Sequence, residues 1–397
     1  MIRTRTILFS LLAVPALASA QTISAESATA IDASSGKVLW SHNADEELYP
    51  ASTTKIMTAL LLLEHCQPDE IIIAPADVEK VKESSMNLKP NERVRAKDMV
   101  YALMLRSAND GCYAVACHIS GSVSKFADLM NDRARQLGCT HTHFDNPNGL
   151  NDPLHYTTAH DLALIARQAM QYPAFREIVR TEKVKINRGT NWKDTLMVNH
   201  NKILFHDATC DGIKTGWTIP AGHCFVGSAN RDGWRVITVV MKSNHWQKDT
   251  EGLFNWAYDA YQEKEALAAG SNVGEVKVVG GLQPAVKVDV ASDAYALVPK
   301  AAAGAITTHL EVPASLNAPI AKNQKIGDLV VRDPDGYEHK VDVLTSEDVP
   351  ATRSMLIAKK SGDGNMILGA GLLAGAIFIQ RRTKKKVSRL TSRSQKV

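Results

Sequence analysis

The chain has 397 residues, 45% of them hydrophobic, and a formal charge of +4; it can build two or three domains with real cores and is too apolar for a disordered chain. The positive charge sits at the ends: removing the eight Lys and Arg of residues 381–397, together with Arg3 and Arg5, turns +4 into about −6. The basic balance therefore belongs to the ends and is no sign of nucleic-acid binding; no nucleic-acid partner is expected.

In chain order, residues 1–20 read as a secretory signal peptide. Arg3 and Arg5 precede an apolar stretch from Ile7 to Leu17, and Ala18-Ser19-Ala20 offers an A-x-A cleavage site before Gln21. Helical periodicity then covers Ile56 to Leu63, Met99 to Ile119, Phe126 to Leu137 and Asp161 to Gln171. Val226 to Ala229 and Arg235 to Met241 read as strands joined by Asn230-Arg-Asp-Gly233, a hairpin signal, and Gly252 to Glu263 as a closing helix.

From Gly270 to about Val349 the helical pattern vanishes. Short alternating runs replace it at Glu275 to Val279, Ala285 to Val290, Tyr295 to Val298, Thr307 to Val312 and Asp328 to Val331. The expected division is a catalytic domain over 21–268, an all-β domain over 269–350 and a linker over 351–365. A membrane anchor over 366–380 and a basic cytoplasmic tail over 381–397 follow. Met366 to Ile379 has no polar side chain, but as a helix it spans only about 21 Å of a hydrocarbon core of about 30 Å. It lacks the polar face of an interfacial helix, and Arg381, Arg382, Lys384, Lys385 and Lys386 follow at once. The expectation is a short span with snorkelling cations, the body outside and the tail inside.

Six Cys in an exported chain permit disulfides without requiring them, and no CxxC or Cys/His metal spacing occurs. Most read as buried thiols, Cys112 among them; His155 and His160 read as structural residues at a helix entry.

The chemistry gathers around Ser52 and Lys55, three residues apart at the mouth of an apolar helix. That spacing puts hydroxyl and amine on one helix face, where an amine of lowered pKa can deprotonate the serine. The helix N-terminus adds a positive potential for a developing oxyanion. Alone, the pair is a weak signal and reads better as an N-capping serine with a solvated lysine. Two further motifs change that reading: Ser107-Ala-Asn109, and Lys214-Thr215-Gly216 on a β-like stretch. S-x-x-K, S-x-N and K-T-G in that order are the motif set of penicillin-interacting serine enzymes.

Over roughly residues 25 to 350 the chain resembles the low-molecular-weight penicillin-binding proteins, which are D-alanyl-D-alanine carboxypeptidases. The stretches that carry the resemblance are "DASSGKVLWSHNADEELYPASTTKIMTALLLLE", "MLRSANDGCYAVA", "THFDNPNGL", "TAHDLALIA", "CDGIKTGWTIPAGHCFVGSA" and, in the β domain, "PIAKNQKIGDLVV". The resemblance implies an α+β fold, a five-stranded antiparallel sheet flanked by helices, with a small all-β domain after it. It implies Ser52 as the acylated nucleophile, Lys55 as its base, Ser107 as a proton relay and Asn109 as a ligand of the substrate backbone. Lys214 is expected to help keep Lys55 neutral, and Thr215 and Gly216 to line an edge strand for the extended peptide. The resemblance also implies an oxyanion hole made by the backbone N–H groups of Ser52 and Trp217. The implied partners are peptidoglycan stem peptides ending in D-Ala-D-Ala and β-lactam antibiotics, with no metal or other cofactor. One departure stands out. Where many members place an arginine for the substrate carboxylate, "MKSNHWQKDTEGLFNWAY" offers only Lys242 and Lys248, which lack a bidentate grip.

Two other functions compete. A β-lactamase calls for a glutamate-centred deacylation site; Glu177 and Glu182 lie in the right interval, but "REIVRTEKV" does not resemble one. The complete motif set and the ordinary exported topology argue against a non-catalytic antibiotic sensor or wall-binding scaffold.

Overall fold

The computed structural model describes residues 22–189, 193–301 and 304–352. The segments expected to be a signal peptide, a membrane anchor and a basic tail lie outside the described residues, and no helix among the described residues is long and apolar enough to cross a membrane. The chain forms two compact units. One runs to Glu263 and takes in the return that starts at Val298; the other comprises Lys264–Leu297 and the chain from Gly304.

The first unit is organised by a sheet. Strands β1 (Ser27–Asp32) and β2 (Val38–His42) open the chain, and β7 (Cys210–Thr218), β8 (Gly222–Arg231) and β9 (Trp234–Ser243) close the sheet in the order β2-β1-β9-β8-β7. Every pairing is antiparallel. Short antiparallel pairs, β3 (Ile71–Ile73) with β4 (Arg93–Arg95) and β5 (Lys183–Lys185) with β6 (Leu196–Val198), lie between these strands in sequence. The β8–β9 turn is Asp232-Gly233, both at positive φ (53° and 95°), which suits the right-handed twist of a tight hairpin.

The helix carrying the S-x-x-K motif begins as a 3-10 turn at Ala51–Thr54 and continues as α1 (Lys55–His65). Residues Lys55 to Leu62 are all buried, as expected of a helix that is apolar on every side. Around it stand α2 (Ala96–Tyr101), α3 (Asn109–Ser120), α4 (Val123–Gln136), α5 (Ala159–Ala169) and α6 (Pro173–Val179), while α7 (Trp246–Ala260) packs on β8 and β9. The caps are local: Ser122 Oγ accepts from Lys125 N, Thr158 Oγ1 accepts from Asp161 N, and Gly121 closes α3 at φ 78°.

Two helix expectations need correction. The single helix over Met99 to Ile119 is broken: a π-helical turn over Ala102–Arg106 ends at Ser107, which is left-handed at φ 64°, ψ 36°. No glycine or proline marks the break, and both halves bury apolar residues, so the periodicity runs through it. The closing helix ends at Ala260, and Tyr261 to Glu263 begin a strand.

That strand is β10 (Tyr261–Leu267), which pairs with β13 (Ala294–Pro299). The second unit is built on a six-stranded sheet containing β11 (Asn272–Val279), β12 (Ala285–Val290), β14 (Thr307–Glu311), β15 (Ser315–Asn317), β16 (Lys325–Arg332) and β17 (Glu338–Thr345). Their order is β14-β16-β17-β12-β11-β15, antiparallel except for β11 with β15. Alternate valines such as Val276, Val278, Val286, Val288, Val341 and Val343 fill its core. The sequence expectation includes five of these strands and omits β10, β15 and β17.

Candidate active site

The Ser52 hydroxyl is placed by backbone rather than by capping. Ala51 is held at φ 48°, Thr53 Oγ1 donates to Pro50 O at 2.7 Å, and neither Ser52 nor Thr54 caps the helix through its side chain. Lys55 is not a solvated first-turn lysine either; it is fully buried. Its Nζ donates to Ser52 Oγ at 2.9 Å and to the carbonyl of Asn148 at 2.6 Å. A neutral amine has two N–H bonds and one lone pair. With one N–H committed to Asn148, the lone pair can turn towards the serine proton.

Asn148 belongs to the turn Asn146-Pro-Asn-Gly149, which locks onto the Ser52 segment. Thr58 Oγ1 donates to Pro147 O at 2.6 Å, and Gly149 sits at φ 83°. A Cβ on Gly149 would lie 1.8 Å from the carbonyl oxygen of Ala51. Gly149→Ala should therefore cost at least about 2 kcal/mol and slow acylation of Ser52. Urea unfolding and the rate of penicillin labelling measure the two effects; an unchanged midpoint and rate would mean that this clamp does not matter. His155, buried beneath the same segment, shares a 2.9 Å hydrogen bond with Thr54 Oγ1 and accepts from Asp145 N. Burial first, and then the charge of His143, lowers its pKa to about 4, so it stays neutral as a structural residue.

Ser107 reaches the site from the break before α3, with Asn109 in the first turn of that helix. Asn109 Nδ2 donates to Lys82 O at 3.1 Å, while its buried Oδ1 has no partner among the described residues and remains available to a donor. Next to it, buried Asp110 organises the loop from Ser85 to Leu88. It accepts from Ser85 Oγ (2.7 Å), Met86 N (3.0 Å) and Leu88 N (2.8 Å). The same loop is tied from its other side by the buried Arg188–Glu92 ion pair, Nε to Oε1 at 2.9 Å.

The third wall is β7. As the edge strand of the sheet it carries Lys214, Thr215, Gly216 and Trp217 past the Ser52 turn. Gly216 permits the approach: a Cβ there would stand 3.0 Å from Ser52 N and 3.0 Å from Pro50 O. The backbone around Trp217 is thereby brought beside the Ser52 N–H. The Trp217 side chain is 57% exposed and stacks at a tilt near His223.

A cleft of about 330 Å³ joins these pieces. Ser52, Ser107, Thr215, Gly216 and Trp217 line it, together with Ser84, His200, Lys202, His223, Cys224 and Trp246. The amines of Lys55 and Lys214 lie buried behind this lining. Burial lowers Lys55 to about 8, against the opposing pull of Cys112 and Asp110. Burial and then repulsion from Lys55 lower Lys214 further, to about 7. Desolvation, one of the two causes expected of a lysine base, is thus the leading one at Lys55. Cys112 lies buried within reach of both amines' charges; burial pushes its thiol up to about 12, in keeping with an inert buried thiol.

Five of the eight sequence-predicted residues line the cleft, and Lys242 and Lys248 are not in the lining. Lys55 bonds to Ser52 from behind, Lys214 interacts with Lys55, and Asn109 N donates to the carbonyl of the cleft residue Ser84 at 2.7 Å. Lys242 Nζ is bonded to Glu26 at 2.6 Å and lines a separate cleft with Tyr49 and Tyr156. The basic side chains on the Ser52 cleft are His200, Lys202 and His223, none of which a motif marks. Asn148 and Gly149 were also missed as functional residues; their signal is the Asn-Pro-Asn-Gly turn itself.

This geometry has matching sequence relations. A family model described as D-alanyl-D-alanine carboxypeptidase matches residues 15–245. The chain belongs to the D-alanyl-D-alanine carboxypeptidase family. A second model, the C-terminal domain of penicillin-binding protein 5, matches residues 261–351. D-alanyl-D-alanine carboxypeptidase DacF of Bacillus subtilis (strain 168) is 30% identical over 347 residues, covering 85% of this chain and 87% of that one. Among solved structures, penicillin binding protein 5 from Haemophilus influenzae aligns with a TM-score of 0.66 at 28% identity, covering 83% of this chain and 98% of its own. The Streptomyces K15 DD-transpeptidase aligns with a TM-score of 0.56 at 30% identity, covering 60% of this chain and 98% of its own.

Proposed function

We propose that this carboxypeptidase removes the terminal D-alanine from peptidoglycan stem peptides through an acyl-enzyme on Ser52. The observation that carries this reading is the 2.9 Å contact between the buried Lys55 amine and Ser52 Oγ at the floor of the cleft. Neutral Lys55 takes the Ser52 proton as Oγ attacks the carbonyl of the penultimate D-alanine. The oxyanion rests on the N–H groups of Ser52 and Trp217. The extended peptide lies along the edge of β7 beside Thr215 and Gly216, and Asn109 binds its backbone through the free Oδ1. Collapse of the tetrahedral intermediate breaks the peptide bond. The proton passes from Lys55 through Ser107 to the departing D-alanine amine, and water then hydrolyses the ester. A β-lactam presents a similar carbonyl, acylates the same oxygen and has no amine that diffuses away. Incubation with a diacyl-D-Ala-D-Ala peptide should liberate free D-alanine at one equivalent per peptide; penicillin labelling without D-alanine release would favour a sensor. A β-lactamase has less support, because neither Glu177 nor Glu182 lines the cleft.

The reading extends to location: an exported body, held at the outer face of the cell membrane by residues 366–380 with the tail inside. Its support is the leader-like start, and the apolar run followed by five cations within seven residues. Protease added to spheroplasts should digest the body and leave a small protected fragment around Arg389. Full release by alkaline carbonate, with no protected fragment, would rule the span out.

A further inference from the structure

The helices α1 and α3 begin at the cleft, with Lys55 and Asn109 in their first turns, and end together at a second cluster that the reaction does not use. Cys66 is the C-cap of α1, Glu70 directly precedes β3, and His118 lies in the last turn of α3. Their ligand atoms all lie within 4.8 Å of one another. His118 Nε2 and Glu70 Oε1 are 2.8 Å apart, and Glu70 Oε2 accepts from Gln67 N at 3.1 Å, which fixes the carboxylate.

We propose that Cys66, Glu70 and His118 form a zinc(II) site with water in the fourth position. Thiolate, imidazole and carboxylate together are a zinc donor set, whereas calcium and magnesium take oxygen alone. Tetrahedral zinc holds such atoms about 3.5 Å apart. The cluster therefore needs a contraction on its wider side and a small opening between His118 and Glu70. Binding exchanges the Cys66 S–H bond for S–Zn and releases that proton to water; His118 ligates as the neutral ring through Nε2. The His118 side chain is 25% exposed and Cys66 is half-buried, so an ion has a path in. The neighbouring acid and thiol are otherwise engaged. Asp69 faces Lys97 at 3.1 Å and Arg95 at 3.8 Å, and Cys117 hydrogen-bonds with Tyr113, which itself donates to Asp77 at 2.8 Å. A bound ion would pin the far ends of the two helices that carry the S-x-x-K and S-x-N motifs. The spacing hid the site because the third ligand is 48 residues beyond the second.

The test uses the full chain in detergent, stripped with a chelator, then titrated with zinc against a chromophoric chelator and with cobalt(II) in the optical spectrum. One equivalent of zinc should bind, and cobalt should bring a near-ultraviolet thiolate charge-transfer band. Cys66→Ser should abolish the band, and both it and His118→Ala should weaken zinc at least tenfold; Cys117→Ser should change neither. Penicillin labelling reports that each variant is folded. Should Cys66→Ser fail to fold, zinc should still slow alkylation of Cys66 in the wild type at least tenfold. Zinc affinity equal in wild type and Cys66→Ser, a band that survives in that variant, or alkylation indifferent to zinc would overturn the site.

Discussion

Ser52→Ala should form no covalent adduct with labelled penicillin and should release D-alanine at least about 10⁴-fold more slowly than the wild type. Few groups in the cleft offer an alternative nucleophile. Cys112 is buried with its thiol pushed up to about 12, and it is Ser52 Oγ that meets the Lys55 amine at 2.9 Å. The substitution removes one oxygen from a half-buried position and leaves the Asn148–Lys55 contact in place, so the fold should survive. The thermal midpoint should change little while the chemistry disappears. A label mapped by mass spectrometry to another residue, or full labelling of the variant, would sink the assignment.

The second large effect concerns the base. Lys55→Arg keeps a cation but places a guanidinium, which does not deprotonate, where a neutral amine is needed; acylation should fall by about 10²–10⁴-fold. In the wild type the sign follows from the lowered pKa values. Below pH 7 both buried amines hold their protons, and the acylation rate should fall about tenfold per pH unit. Above about 8 the rate should level off, because Lys55 is then largely neutral. A lysine left at its ordinary 10.5 would give a rate still climbing beyond pH 9. The two amines interact, so the profile reports the pair rather than either residue. A flat profile from pH 6 to 10, with an active Arg variant, would point to a different base.

Much of this site is legible in the sequence because its elements are short and local. Ser52 and Lys55 share a helix face by spacing alone, and Lys214-Thr-Gly216 sits on a run that must be a strand. The Asp-Gly turn likewise announces the β8–β9 hairpin. The supports were hidden because they are tertiary. The acceptor that orients Lys55 is a backbone carbonyl 93 residues away, and a carbonyl has no sequence signature. The break at Ser107 is hidden for a different reason: a left-handed serine is stabilised by its surroundings, while the apolar period on both sides continues as one helix. Strand β17 begins Glu-His-Lys and carries its apolar residues late, so its alternation is diluted; pairing with β16 along Arg332 to Lys325 makes it a strand. The omission of Lys242 from the cleft follows from its ion pair with Glu26, again a contact between distant segments.

The strand order of the sheet also dictates when the enzyme can come into being. Strand β1 lies between β2 and β9, and its register runs from Ser27 opposite Met241 to Asp32 opposite Val236. The first strand made therefore waits for a partner that emerges from the ribosome some two hundred residues later, and α1 with its nucleophile waits with it. Such long loop closure makes folding slow and leaves apolar segments such as Ile56 to Leu62 uncovered in the meantime. A chain interrupted anywhere before Trp234 lacks the β9 side of the pairing of β1 and the whole of α7. Reactivity towards penicillin should thus appear only once β9 has joined β1, which makes the antibiotic itself a reporter of completed folding.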